Sequence, residues 1–141
     1  MPEKFPVDLS ANATPIEGFH DCHIRGIRWN AEAFGFILSI GYILEWRLAD
    51  NGHYRFLVAP ADFVFENADG ISVTLLWERT RLDADIDSVS IIGSRKAPNG
   101  MMENHYEIAL HNPDGVIRLW ATGYKVVLTG PAVDAKTPGA F

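Results

Sequence analysis

The stretch from Phe34 to Leu48 constrains the fold more than any other part of the chain. Every even position is apolar: Phe34, Phe36, Leu38, Ile40, Tyr42, Leu44, Trp46 and Leu48. The odd positions are mixed and include Gly35, Ser39, Gly41, Glu45 and Arg47. Apolar residues returning at period two mark a strand with one buried face; a helix would bring them back at three and four. The run is long for one strand, and a bend is expected near Gly41.

Asp50-Asn51-Gly52 follows, a three-residue hairpin loop with glycine where left-handed backbone is needed. Closing Ala49 on His53 pairs Leu48 with Tyr54, Trp46 with Phe56 and Leu44 with Val58. Apolar then meets apolar on one face, a match the turn rule did not impose. At Ala59-Pro60-Ala61 the apolar positions slip from even to odd, which suggests a bulge or a strand that switches sheets. Ala68-Asp69-Gly70 offers a second loop, whose closure pairs Phe65 with Val73, Phe63 with Leu75 and Ala61 with Trp77. A weaker strand is expected over Asp85 to Ile92. A third hairpin joins Tyr106–Leu110 to Val116–Ala121, with Val116 opposite either Asn112 or His111. Tyr124, Val126 and Leu128 supply a last strand after a break at Gly123. His20–Asn30 supplies the first, with Gly26 as a possible bulge. The expectation is an all-β chain of about eight strands, an antiparallel hairpin-rich sandwich or partly open barrel.

Length and composition agree with one domain. The 141 residues are 48% hydrophobic and include eight Phe and four Trp, enough large flat side chains for a substantial core. Three prolines within residues 1–16 suggest a flexible N-terminal arm. The domain is expected over 17–133, followed by a flexible C-terminal tail at 134–141. The net charge of −6 argues against nucleic acid, whose binding needs a basic footprint, and against an anionic membrane surface. One cysteine, Cys22, cannot form an intrachain disulfide. No apolar run opens the chain and none is long enough for a membrane helix, so a cytoplasmic location is expected.

Three places could carry chemistry. His20-Asp21-Cys22-His23 contains four metal-ligating residue types. On a strand, however, His20 and Cys22 share one face and Asp21 and His23 the other, so no metal is expected there. His20, Asp21 and His23 remain candidates for lining a pocket. Tyr42, Glu45 and Arg47 lie on or near the central hairpin, as an exposed ion pair or as part of a polar binding patch. Residues 93–104 read as a long loop. Its Arg95 and Lys96 could hold an anion, and its Met101 could give adaptable contact surface. No glycine-rich phosphate loop, G-x-S-x-G elbow or cysteine with a convincing base is present. The sequence therefore assembles no catalytic set and implies no cofactor.

The segments Phe19-His20-Asp21 with Ile24 and Ile27, Tyr42-Ile43-Leu44-Glu45-Trp46, and Val58-Ala59-Pro60-Ala61 with Val64-Phe65-Glu66-Asn67 resemble a family of small bacterial all-β proteins of unassigned function. That family is loosely similar to the immunity proteins that neutralise toxins. The resemblance spans about Phe19 to Leu128 and implies bacterial origin and one domain; it supplies no site residues. Three functions stay open. The first is a binding module for a protein partner, of which an immunity-like inhibitor is one version. The second is a small-ligand protein or enzyme with a pocket between the sheets. The third is a structural subunit that forms homo-oligomers through a sheet edge.

Overall fold

In a computed structural model, which describes residues 4–78, 82 and 84–139, the chain is all-β. Ten strands form one antiparallel sheet: β1 Val7–Ser10, β2 His23–Asn30, β3 Gly35–Leu48, β4 Tyr54–Glu66, β5 Asp69–Leu75, β6 Ala84–Lys96, β7 Met102–His111, β8 Gly115–Ala121, β9 Gly123–Leu128 and β10 Val133–Ala135. Their order is β1-β9-β4-β3-β2-β6-β7-β8-β5, with β10 added beside β4. The two ends of this path, β1 and β5, are not paired with each other, so the sheet is open. The strand number is ten rather than eight, because two short strands lie where loose termini were expected. β1 pairs with β9, and β10 with β4. Thr14, inside the expected arm, is fully buried.

The central hairpin keeps the expected register at its tip. The Ala49 amide donates to the His53 carbonyl at 2.8 Å, and Leu48 faces Tyr54 and Trp46 faces Phe56. Val58, however, faces Ile43 rather than Leu44, because Leu44 is the extra residue of a bulge. The bend expected at Gly41 is therefore a bulge three residues later. Beyond it Tyr42 pairs with Ala59, Ile40 with Ala61, Leu38 with Phe63 and Phe36 with Phe65. All eight of these side chains are buried.

The expected β4–β5 hairpin does not form. β5 pairs with β8, setting Val73 opposite Ile117 and Leu75 opposite Gly115. Asn67 and Gly70 do take positive φ, 51° and 57°. They carry the chain away from β4 to the far side of the sheet instead of folding it back. β8 runs into β9 at the same place, through Thr122. The Thr122 amide donates to the Glu66 carbonyl at 2.9 Å, and the Asn67 side-chain amide donates to Thr122 Oγ1 at 2.9 Å. β7 and β8 pair with Ala109 opposite Val116, so neither expected register of the third hairpin occurs; four residues, His111 to Asp114, span the turn. Gly115 is required there: a Cβ on it would lie 2.5 Å from the Thr74 carbonyl oxygen, so any other residue pushes β5 away. β2 starts at His23 rather than His20, and its bulge falls between Ile24 and Gly26. β6 continues past Ile92 to Lys96.

The core lies where the sheet curls over itself. Phe19, from a short 3-10 turn at Ile16–Phe19, stacks on Phe63 at 4.0 Å between ring centres. Phe65 meets Tyr106 of β7 at 5.1 Å, and Tyr106 meets Tyr124 of β9 at 6.0 Å. These rings join the β3–β4–β9 side of the sheet to the β7–β8 side, where Ile108, Ile117 and Leu119 are fully buried. Tyr124 Oη donates to the Thr14 carbonyl at 2.8 Å, tying the N-terminal segment to the core. Among the described residues no helix is long and apolar enough to cross a membrane.

Candidate functional site

The two sides of the sheet meet along a short ladder. β2 and β6 share two residue pairs, His23 with Asp85 and Ile24 with Ala84. The Asp21 amide extends the ladder by donating to the Ile86 carbonyl at 2.8 Å. At this junction the structure gathers residues that are far apart in sequence. His23 Nδ1 lies 2.8 Å from Asp85 Oδ1. The other Asp85 oxygen is 3.8 Å from His111 Nε2, and His111 Nδ1 is 3.9 Å from Asp87 Oδ1. His20 Nδ1 is 3.1 Å from Asp21 Oδ2 at the rim. Asp21, His23, Asp85 and Asn112 line an open cleft of about 560 Å³, with Thr137, Pro138 and Gly139 on its C-terminal wall. Asp21 and Asn112 hold positive φ, 68° and 53°. Asp and Asn take this left-handed backbone more readily than other non-glycine residues.

The expected alternation of His20, Asp21, Cys22 and His23 does not hold, since only His23 belongs to the strand. The left-handed Asp21 turns its side chain to the same cleft as His23. Cys22 is fully buried, and burial pushes its thiol up to about 12, far from a reactive thiolate. Among the described residues no group of three or more His, Cys, Asp or Glu side chains has a metal-holding arrangement. An imidazole held by a carboxylate can accept a proton, and here two imidazoles flank one carboxylate. His111 and Asn112 were not singled out from the sequence. Only the β6–β7 register, which sets Asp85 opposite His111, brings them to the site.

The candidates on the central hairpin separate. Tyr42 is buried on the core side, 5.5 Å from the Phe19 ring, and burial raises its hydroxyl above the ordinary tyrosine range. Glu45 and Arg47 form an exposed ion pair at 3.0 Å; hydrogen bonding to Arg47 holds the Glu45 carboxyl below its usual range. On the opposite face of the same segment lie Trp46, Leu48 and Tyr54, with 47, 66 and 57% of their surface exposed. Trp46 packs edge-on against Phe56 at 4.8 Å and Tyr54 at 6.2 Å, so the rings stand as a braced group. Beside them, Tyr54, Arg55, Phe56 and Lys136 line a groove of about 490 Å³. Arg55 in this groove is bonded to Asp134 at 2.9 Å.

Residues 93–104 are not a long loop. β6 and β7 continue through them in register, Arg95 opposite Glu103 and Lys96 opposite Met102. Only residues 97–101 turn, closed by the Ala97 amide donating to the Met101 carbonyl at 2.8 Å. Arg95 is already engaged. It bonds to Glu103 at 3.0 Å and Asp69 at 2.9 Å, and its guanidinium lies 4.1 Å from the Trp120 ring centre. It therefore braces β5, β6, β7 and β8 together rather than waiting for an anion. Lys96 and Met101 are exposed at the tip.

Compared with known protein families, with curated proteins and with solved structures, the chain matches none.

Proposed function

We propose that the protein is a binding module that recognises a protein partner through the distal part of the β3–β4 hairpin. The observation that carries this reading is the exposed row Trp46, Leu48 and Tyr54 beside a groove. Aromatic side chains braced before contact lose little freedom on binding, and they dominate the energetics of many interfaces. The flanking Arg47 and Arg55 are each paired with a carboxylate. Apolar contact rather than local charge then supplies the affinity, while the net charge of −6 favours approach of a basic partner. An immunity-like inhibitor of a basic toxin in a bacterial cytoplasm is one version of this reading.

The test is affinity capture with the wild-type chain and with Trp46→Ser/Leu48→Ser. A partner held by the first and lost from the second supports the reading. A partner held equally by both removes this surface from consideration.

A second reading rests on the His23–Asp85 pair in its cleft: a small polar ligand that hydrogen-bonds to the imidazole and carboxylate groups. Imidazole NMR signals followed while amines, carboxylates and phosphates are added one class at a time test it. Saturable shifts confined to His23 and His111 support it; shifts spread over all five histidines count against it.

A further inference from the structure

We propose that β5 is a pairing edge, and that its occupant is β5 of a second copy of this chain, added antiparallel so that two sheets continue into one. The inference is independent of the β3–β4 surface.

The two ends of the sheet differ in how they are protected. β1 is four residues long, follows Pro6 and carries Asp8, which is paired with Lys125 at 3.4 Å. Short length, proline and charge are the usual means of blunting an edge. β5 is longer and has no proline, and its one charge, Asp69 at its start, is held by Arg95 at 2.9 Å; Gly70–Leu76 has no ionisable side chain in a chain of net charge −6. Two copies can therefore approach along it without like-charge repulsion at the contact. Among the described residues β5 pairs only with β8.

The side chains also match themselves. Val73 sits opposite Ile117, which is fully buried, so Val73 and Leu75 lie on the core side of the sheet. Ile71 and Val73 nevertheless keep 42 and 43% of their surface exposed. A twofold axis at Val73 sets Val73 against its own copy and Ser72 against Thr74, both within the straight Ser72–Leu75 ladder. The apolar Val73 pair then falls on one face and the hydroxyl pairs on the other, as an isologous contact requires. The register shift between Asp69 and Ser72 confines the straight ladder to Ser72–Leu75, so the pairing is short. The dimer should be a reversible one that grows with concentration.

Sedimentation velocity over a wide concentration range tests the proposal on the full chain. The expected result is a monomer at low concentration and twice that mass at high concentration, with the dimer lost in Ile71→Lys/Val73→Lys and kept in Trp46→Ser/Leu48→Ser. Retained near-ultraviolet circular dichroism shows that the lysine variant still folds. A second variant fixes the register: Val73→Cys should crosslink to its copy under mild oxidation, and Ser72→Cys should not. A monomer at every concentration, or a dimer that survives the lysines and disappears with the Trp46/Leu48 change, overturns the proposal. The latter result would reassign the β3–β4 surface to self-association and leave the β5 edge without a partner.

Discussion

The two parts of the β3–β4 hairpin look alike in sequence and end in opposite surroundings. From Phe36 to Tyr42 the even-numbered side chains of β3 lie in the core, facing Phe65, Phe63, Ala61 and Ala59. From Leu44 to Leu48 the same alternation continues, yet Leu44, Trp46 and Leu48 are 41, 47 and 66% exposed. The bulge at Leu44 separates the two. On β4 the apolar row changes from odd to even between Ala59 and Val58 without an inserted residue, so Val58, Phe56 and Tyr54 belong to the face opposite Phe63 and Phe65. β3 keeps its apolar residues at even numbers throughout. An unbroken ladder cannot match both rows, and one extra residue on β3 reconciles them. The lesson is that a period of two shows extension; a single bulge moves the later part of the row to the other face, and the alternation does not show which part is covered.

This contrast can be broken in several ways. The largest effect is expected for Phe63→Ala, which removes a fully buried ring stacked on Phe19; urea unfolding should show a loss of about 3–5 kcal/mol. Leu38→Ala, its neighbour across the ladder, should cost about 2–5 kcal/mol by the same measurement.

Alkaline pH should act on the core side. Burial raises Tyr124 from 10.0 to about 12 and Cys22 from 9.0 to about 12. The folded state thus favours their protonated forms, and the unfolded chain releases those protons first. Their contribution is complete below pH 9 and is lost as pH rises toward about 12. Stability should fall across that window, and Tyr124→Phe should flatten the fall. The smallest effect is expected for Leu48→Ala, within about 0.5 kcal/mol of wild type in urea, because its side chain is mostly exposed. A loss at Leu48 as large as that at Leu38 would erase the distinction between the two parts.

Local signals in the sequence carried the all-β class, the tip register of the central hairpin and the positions of most strands. The β4 phase slip was visible as well, but its consequence for Leu44 appears only when the ladder is followed past Pro60 to Phe36. Longer-range pairing was not legible. Ala68-Asp69-Gly70 has turn residues that fit a hairpin, and positive φ at Asn67 and Gly70 serves a crossing to β8 equally well. Turn chemistry states where the chain changes direction; the destination depends on which strand edge is unpaired. Residues 93–104 read as a loop because Gly93, Pro98 and Gly100 punctuate them, yet bulges accommodate the irregularity within a continuous ladder. In the cleft, Asp21 and His23 could be picked out by residue type. Asp85, His111 and Asn112 join them only through the β2–β6 and β6–β7 registers.

Hydroxyl-radical footprinting of the native chain, read residue by residue on the aromatic side chains, measures the separation of the two faces directly. Trp46 and Tyr54 should be oxidised quickly, while Phe63, Phe65 and Tyr106 stay protected until the chain unfolds. Slow labelling of Trp46 and Tyr54, at the rate of Tyr106, would mean that the distal rings are covered and would contradict the account.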